Sequence, residues 1–298
     1  MTVAWVFPGQ GSQKPGMGKS IIEIPHAKER FVYASEIFGR DLLSISNNES
    51  NIDDPKYDLN NTINTQICLF LVESILIDAL KEKQYAPQYV AGHSLGEITG
   101  LYCSNVLTFE NCIKLIKKRS DLMSMAAEGS MAALIGFDRD ELNEIINQID
   151  DVVIANDNSS SQVVLSGSKG SLQSCADKLK CKKFIELNVS GAFHSPFMKV
   201  PSDEFAKFLD LIEFNTPLYP LLCNSNPNIS SDPEELKLRL KDQMCNGVRW
   251  RETMDLLAEK DELHIIEIGP SNVLSGLAKR HIKNVQISQV SSSENLSY

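Results

Sequence analysis

The sequence predicts an α/β protein of two units, a large one around a mostly parallel sheet and a small one inserted into it. Three observations carry this expectation. Residues 89–106 read as a short buried strand, a glycine-bounded turn and a helix, the unit from which parallel sheets are assembled. Residues 131–190 hold the order β-α-β-β-α-β on their own. The 298 residues are also more than one hydrophobic core usually fills. The expected boundaries are 1–128 with 191–298 for the large unit and 129–190 for the small one.

Composition excludes several function classes. Hydrophobic residues make up 42% and charged ones 23%, an ordinary globular balance. A net charge of −10 argues against nucleic acid as the main partner. No uninterrupted apolar run reaches the ~18 residues of a membrane span, and no basic then apolar segment precedes the first strand. Neither a membrane nor a signal peptide is therefore expected. The seven cysteines form no C-x-x-C and no Cys/His metal spacing. Reduced thiols in a cytoplasmic protein, with no metal, are the expectation.

Taken in order, residues 3–7 form a buried-type strand that runs into Pro8-Gly9-Gln10-Gly11-Ser12-Gln13. The glycines of that loop let backbone approach a neighbour, and its amides supply neutral donors. No G-K-[ST] follows, so a P-loop is excluded. Residues 20–46 read as mostly helical. Residues 47–58, with Asn47, Asn48, Asn51, Asp53, Asp54 and Pro55, read as a polar surface loop. Ile67, Phe70, Leu71, Ser74 and Ile75 recur at helical spacing within 61–83, a long and largely buried helix. The strand at 89–91 and the helix at 97–106 flank the turn. Residues 108–127 form another helix, in which Arg119 follows Lys114, Lys117 and Lys118 but shares an apolar segment with Leu115, Ile116, Leu122 and Met123. Spacing alone reads that arginine as solvated.

In the small unit, strands at 131–136, 152–155, 162–166 and 183–188 alternate with helices at 139–149 and 170–179. Residues 156–161 read as a polar loop between its middle strands, able to line a cleft. Beyond it come a helix at 202–211, a strand-like run at 217–223 and helices at 232–245 and 250–260. A strand at 263–268, a helix from 274 and a strand at 285–290 close the fold, and the tail from 291 is expected to fray. The whole reads as an α/β-hydrolase-like sheet carrying a ferredoxin-like βαββαβ insertion.

Gly92-His93-Ser94-Leu95-Gly96 is a G-x-S-x-G pentapeptide. Its strand–turn–helix setting makes it a nucleophile elbow with Ser94 as the nucleophile. Backbone N–H groups at the start of the helix, that of Leu95 among them, point where an oxyanion would form. A serine nucleophile needs a base, and imidazole suits neutral pH. His26, His264 and His281 lie in unpromising settings, and the side chain of His93 points away from its neighbour's hydroxyl. His194 stands among small residues in Gly191-Ala192-Phe193-His194-Ser195-Pro196, at the junction of the two units where clefts form. A structural histidine is the alternative on this evidence. No acid follows in the Ser…Asp…His order of esterases, so something other than a carboxylate would orient the base.

These motifs, with Val6-Phe7-Pro8-Gly9-Gln10-Gly11-Ser12-Gln13 and Glu267-Ile268-Gly269-Pro270, occur in the order that resembles the malonyl-CoA:acyl carrier protein transacylases and the acyltransferase domains of polyketide and fatty acid synthases. The resemblance runs from Val3 to Gln289, and the chain length resembles the free-standing enzyme of type II fatty acid synthesis. It implies that Ser94 attacks the thioester of malonyl-CoA and that His194 moves the proton. It implies that the N–H groups of Gln10 and Leu95 form the oxyanion hole and that Arg119 grips the malonyl carboxylate. It implies that the main-chain carbonyl of Gln243 orients His194. No cofactor is implied; the partners are malonyl-CoA and the phosphopantetheine thiol of acyl carrier protein. A polyketide acyltransferase acting in trans, or an acyl-thioester hydrolase, would share Ser94 and His194.

Two positions depart from the family pattern. Gly247 replaces a usual proline, which predicts a looser loop around Gln243, and Asp157 replaces an aromatic or neutral residue and is expected to face water. Docking of an acidic carrier on an acidic chain calls for a local basic patch. Candidates are Lys182 with Lys183, Arg249 with Arg251, and Lys279 with Arg280 and Lys283.

Overall fold

The computed structural model describes residues 1–49, 54–126 and 128–297. It opens with strand β1 (Thr2–Phe7), then helices α1 (Ala27–Phe38), α2 (Leu42–Ser46) and α3 (Thr62–Glu82). Strand β2 (Tyr89–Gly92) leads to α4 (Gly96–Cys103) and α5 (Phe109–Met125). The middle of the chain holds β3 (Ser130–Phe137), α6 (Arg139–Ile146), β4 (Val152–Ser159), β5 (Gln162–Gly167), α7 (Lys169–Lys178) and β6 (Cys181–Glu186). The last third holds α8 (Lys199–Leu209), β7 (Leu221–Leu222), β8 (Ile229–Ser230) and α9 (Pro233–Asp242). It ends with α10 (Trp250–Ala258), β9 (Leu263–Ile268), α11 (Val273–His281) and β10 (Gln286–Val290).

The strands form two sheets. One has the order β10-β9-β1-β2-β7-β8, parallel throughout except for the short edge strand β8. The other, β4-β5-β3-β6, is antiparallel. Alternation along β1 explains how the parallel sheet is covered. Val3, Trp5 and Phe7 point to one face and join the core made with α1 to α5, while Ala4 and Val6 point to the other and join α10 and α11. The antiparallel sheet has its own core, in which Leu134, Val163 and Leu165 pack on Leu142, Leu172 and Cys175.

Helix α3 is capped by Asn61, whose side chain accepts from Ile63 N–H, and it is buried on nearly every side. Together with the turn before it, it is long and apolar enough to span a membrane, with mean hydropathy 1.6, although polar residues interrupt its apolar run. Of that window 89% is buried inside the fold, so its apolar surface is already used by the core.

Several expected bounds shift for identifiable reasons. The helix after the elbow stops at Cys103, because Asn105 turns into the left-handed region. Only Leu221–Leu222 of the expected run 217–223 is strand, since Pro217 and Pro220 have no N–H to donate. Residues 156–159 belong to β4 and not to a loop: Asn156, Asp157 and Ser159 pair with Val164, Val163 and Gln162 across two register shifts. The tail is tied down. Ser293 N–H donates to Ser20 O at 2.8 Å, and Leu296 packs on the main core. Expectations for Asn51, Asp53, Ala127 and Tyr298 lie outside the described residues. All seven cysteines are free thiols.

Candidate active site

Ser94 occupies the turn between β2 and α4 with φ +53°. A left-handed residue other than glycine costs about 1–2 kcal/mol and persists where its surroundings over-determine it. Close packing of strand on helix does this here. A Cβ at Gly92 would lie 1.9 Å from Gly96 O, and one at Gly96 would lie 2.0 Å from Phe7 O. Asn224, in the loop after β7, ties the turn from beneath. Its Oδ1 accepts from Ser94 N–H at 2.6 Å, its Nδ2 donates to Gly92 O at 2.5 Å, and its N–H donates to Glu97 Oε2 at 2.8 Å.

His194, also at positive φ (+56°), places Nε2 2.8 Å from Ser94 Oγ. Its Nδ1 faces two carbonyls, Gln243 O at 2.9 Å and Asn246 O at 3.2 Å. A carbonyl can only accept, so Nδ1 carries the proton and Nε2 offers its lone pair to the serine hydroxyl. Burial, and then the positive charge of Arg119, hold the imidazole down to about 3. The ring is therefore neutral at pH 7.

Arg119, expected from spacing to be solvated, is 1% exposed. Helix α5 turns it inward, where Nη1 donates to Gln66 Oε1 at 2.7 Å and Nη2 to Gln243 Oε1 at 2.9 Å and Ser94 Oγ at 3.1 Å. These partners are neutral oxygens. Burial lowers the guanidinium to about 10, with Glu97 opposing, so it stays charged at neutral pH. Its Nε is buried and without a partner among the described residues. A buried cation held by neutral acceptors, with donor capacity to spare, has the chemistry to receive an anion.

Ser94, His194 and Arg119 line a cavity of about 80 Å³ with Gln10, Leu95, Met123, Met131, Asn156 and Phe193. A second space of about 220 Å³ shares Gln10, His93 and Asn156 with it and continues along Gly9, Gly11, Asn158 and Leu274. A larger groove of about 640 Å³ lies on α1 and α2, lined by Phe31, Val32, Arg40 and Asp41. It holds neither Ser94 nor a histidine, so the smaller cavity is the candidate site.

The sequence-predicted residues thus converge: Ser94, His194, Arg119 and Gln243 are joined by hydrogen bonds, and Gln10 and Leu95 line the same cavity. Gln243 contributes more than its carbonyl, since its Nε2 also donates to Ser94 O at 2.9 Å. His93 is turned away, with Nε2 2.9 Å from Asn158 Oδ1 and its ring 5.5 Å from that of Trp250. Two amides escaped sequence reasoning, Gln66 and Asn224, whereas Asn158 lies in the stretch 156–161 expected to line a cleft. A visible signal existed for Asn224, a polar residue just past the carboxyl end of a strand in a parallel sheet.

Both departures from the family pattern behave differently from expectation. Asp157 does not face water: its side chain is 13% exposed and is shared between Arg139 Nη2 at 2.8 Å and Arg251 Nε at 3.0 Å. The loop at Gly247 is not loose. Val248 N–H donates to Ala155 O and Asp157 N–H to Val248 O, each at 2.8 Å. A Cβ at Gly247 would come within 2.5 Å of Ile154 O, so glycine permits this contact. The candidate patch of Arg249 and Arg251 is neutralised by Glu252, Asp157 and Asp255. Lys182, Lys183, Lys279, Arg280 and Lys283 are exposed.

The acyl transferase domain family matches residues 4–295. The chain is similar to the malonyl CoA-acyl carrier protein transacylase of Synechocystis sp., 40% identical over 296 residues and 99% of both chains. A crystal structure of the Synechocystis protein superposes with TM-score 0.94 over 99% of each chain. A polyketide biosynthesis malonyl CoA-acyl carrier protein transacylase of Bacillus subtilis is 34% identical, covering 95% of this chain and 98% of its own. A malonyl-transacylase solved in complex with its type II polyketide synthase acyl-carrier protein aligns with TM-score 0.92 at 32% identity, over 99% of this chain and 98% of that one. Matched over nearly its whole length, the chain belongs to the acyl transferase domain family.

Proposed function

We propose that the protein transfers the malonyl group from malonyl-CoA to the phosphopantetheine thiol of acyl carrier protein, through an ester on Ser94. The observation that carries this reading is Arg119, a buried cation 3.1 Å from the Ser94 hydroxyl. An acyl group ending in a carboxylate satisfies that charge while its thioester carbonyl lies against Ser94; an acetyl group leaves it unanswered. Malonyl transfer is also what the Synechocystis and B. subtilis relatives are named for.

In the first half-reaction Ser94 Oγ attacks the thioester carbonyl as its proton passes to His194 Nε2. The oxyanion is received by the N–H groups of Gln10 and Leu95. Collapse breaks the carbon–sulfur bond, and the imidazolium returns the proton to the CoA thiolate. The second half-reaction is the reverse, with the carrier thiol giving its proton to His194 and attacking the ester. The carbonyls of Gln243 and Asn246 stand where esterases use a carboxylate: they hold Nδ1–H and the tautomer. No cofactor is required.

The strand orders support reading the parallel sheet as α/β-hydrolase-like and residues 129–190 as a ferredoxin-like insertion between 1–128 and 191–298. The protein is assigned to the cytoplasm and to fatty acid synthesis; the B. subtilis relative favours polyketide assembly as the second pathway reading. Initial rates with both substrates varied test the proposal. Parallel double-reciprocal lines with malonyl-carrier as product are expected. Converging lines, or free malonate formed faster than malonyl-carrier, would overturn it.

A further inference from the structure

The two positions that depart from the family pattern, Asp157 and Gly247, are neighbours in space. Val248 and Asn156 form a parallel β-bridge, so the segment after α9 is stitched to β4, an edge strand of the antiparallel sheet. Asp157 holds that segment twice. Its backbone N–H donates to Val248 O at 2.8 Å, and its carboxylate takes Arg251 in the first turn of α10. Arg139 at the start of α6 completes the bridge, with Nη1 and Nη2 at 3.2 and 2.8 Å from the two carboxylate oxygens. Arg139 Nη2 also donates to Ser159 O at 2.8 Å. The stitched segment is the one whose carbonyls, Gln243 O and Asn246 O, hold His194 Nδ1.

We propose that Asp157 is a positioning residue: bridging Arg139 and Arg251 beside the Asn156–Val248 contact, it fixes the loop 243–249 and through it the His194 ring. The wall of the cavity and the support of the base then move as one body. This replaces the stiffness a proline at position 247 would give. A glycine there lets the loop approach Ile154 closely enough to form the bridge, and the arginine pair supplies the restraint that glycine lacks. A mostly buried carboxylate between two arginines is strongly held, and removing its charge takes the counter-ion from Arg139 and leaves Arg251 only its more exposed pair with Asp255.

The proposal rests on His194 serving as the base for Ser94, and its test does not require malonyl to be the acyl group. A fluorophosphonate phosphonylates a histidine-activated serine whatever its natural substrate: the O–P bond forms, the P–F bond breaks and fluoride leaves. Its rate of reaction with Ser94, per site titrated by intact mass, is compared in the wild type, Asp157→Asn, Asp157→Glu and Arg251→Gln. Arg251→Gln leaves the Arg139 pair in place and serves if Asp157→Asn fails to fold. Asp157→Asn and Arg251→Gln are expected to react about tenfold more slowly, as for a base displaced by a fraction of an ångström. Asp157→Glu is expected to recover most of the rate. With malonyl-CoA the loss is expected in kcat, with KM within about twofold. Amide exchange at Val248 is expected to quicken in the same two variants. Wild-type labelling rates in both overturn the proposal, as does an unchanged rate per titrated site with only fewer active sites. A wild type that labels with fluorophosphonate but not with malonyl-CoA overturns the acyl-group reading alone.

Discussion

Arg119 and His194 face the same serine hydroxyl, and the arginine helps to set the charge state of the histidine. Burial strengthens the grip of a guanidinium on a carboxylate, and burial, with the arginine's charge second, depresses the neighbouring imidazole. Replacing Arg119 with Ala is expected to lower kcat/KM for malonyl-CoA by about 10²-fold, the loss of one bidentate charge-assisted contact of roughly 3 kcal/mol, and to spare acetyl-CoA. Equal losses on both substrates would contradict a role in reading the carboxylate. His194 also fixes a pH dependence. A base held down to about 3 stays neutral well below the usual histidine range. The acid limb of the loading rate is therefore expected below about pH 5, and in Arg119→Ala, with the charge removed, it moves upward. A wild-type limb centred near pH 6.5 would sink this assignment. Ser94, His194 and Arg119 were legible as residue types in a motif order. The full burial of Arg119 was not: its apolar neighbours allow a partly inward side chain, but a lysine run on the same helix reads as solvated until Gln66 and Gln243 are seen to receive it.

The elbow is an element held from outside itself. Asn224 makes three of its hydrogen bonds, to Ser94, Gly92 and Glu97. Asn224→Ala leaves a buried N–H and a buried C=O without partners, at about 1–3 kcal/mol each. A loss of roughly 2–4 kcal/mol in urea unfolding is expected, together with slower acylation of Ser94; an unchanged midpoint would show that the turn holds its strain without Asn224. The strongly periodic elements were legible, α3 and α5 above all, because Asn61 and Thr108 cap them and their apolar faces repeat. Residues 156–159 were not. Their polar side chains read as a loop, whereas cross-strand pairing with β5 overrides composition. The contact of Gln243 Nε2 with Ser94 O spans 149 residues of sequence, and no local pattern encodes it.

At the scale of the whole molecule, three buried carboxyls among the described residues, Glu73, Glu97 and Glu267, are raised chiefly by burial. A carboxyl that is harder to ionise in the fold than in the unfolded chain stabilises most at low pH. That contribution is lost as pH climbs from the ordinary carboxylate range to the raised value. Glu73 also feels the charge of Glu267 and accepts from Thr99 Oγ1 at 2.6 Å, which a glutamine can replace. Glu73→Gln is therefore expected to gain thermal stability relative to the wild type as pH rises from 5 to 8. A difference in Tm that does not vary with pH would contradict this. The division into a parallel and an antiparallel sheet was legible from element order. The packing of Asp157 and Gly247 was not, because an arginine pair and a close approach to Ile154 reverse what each residue suggests alone.

The most direct test of malonyl transfer through Ser94 is the intact-protein mass after brief exposure to malonyl-CoA, with acetyl-CoA and Ser94→Ala alongside. A single malonyl adduct on the wild type, absent from Ser94→Ala, much weaker with acetyl-CoA and discharged by holo acyl carrier protein, is the predicted result. No adduct while free CoA and malonate accumulate, or an adduct that survives in Ser94→Ala, would contradict it.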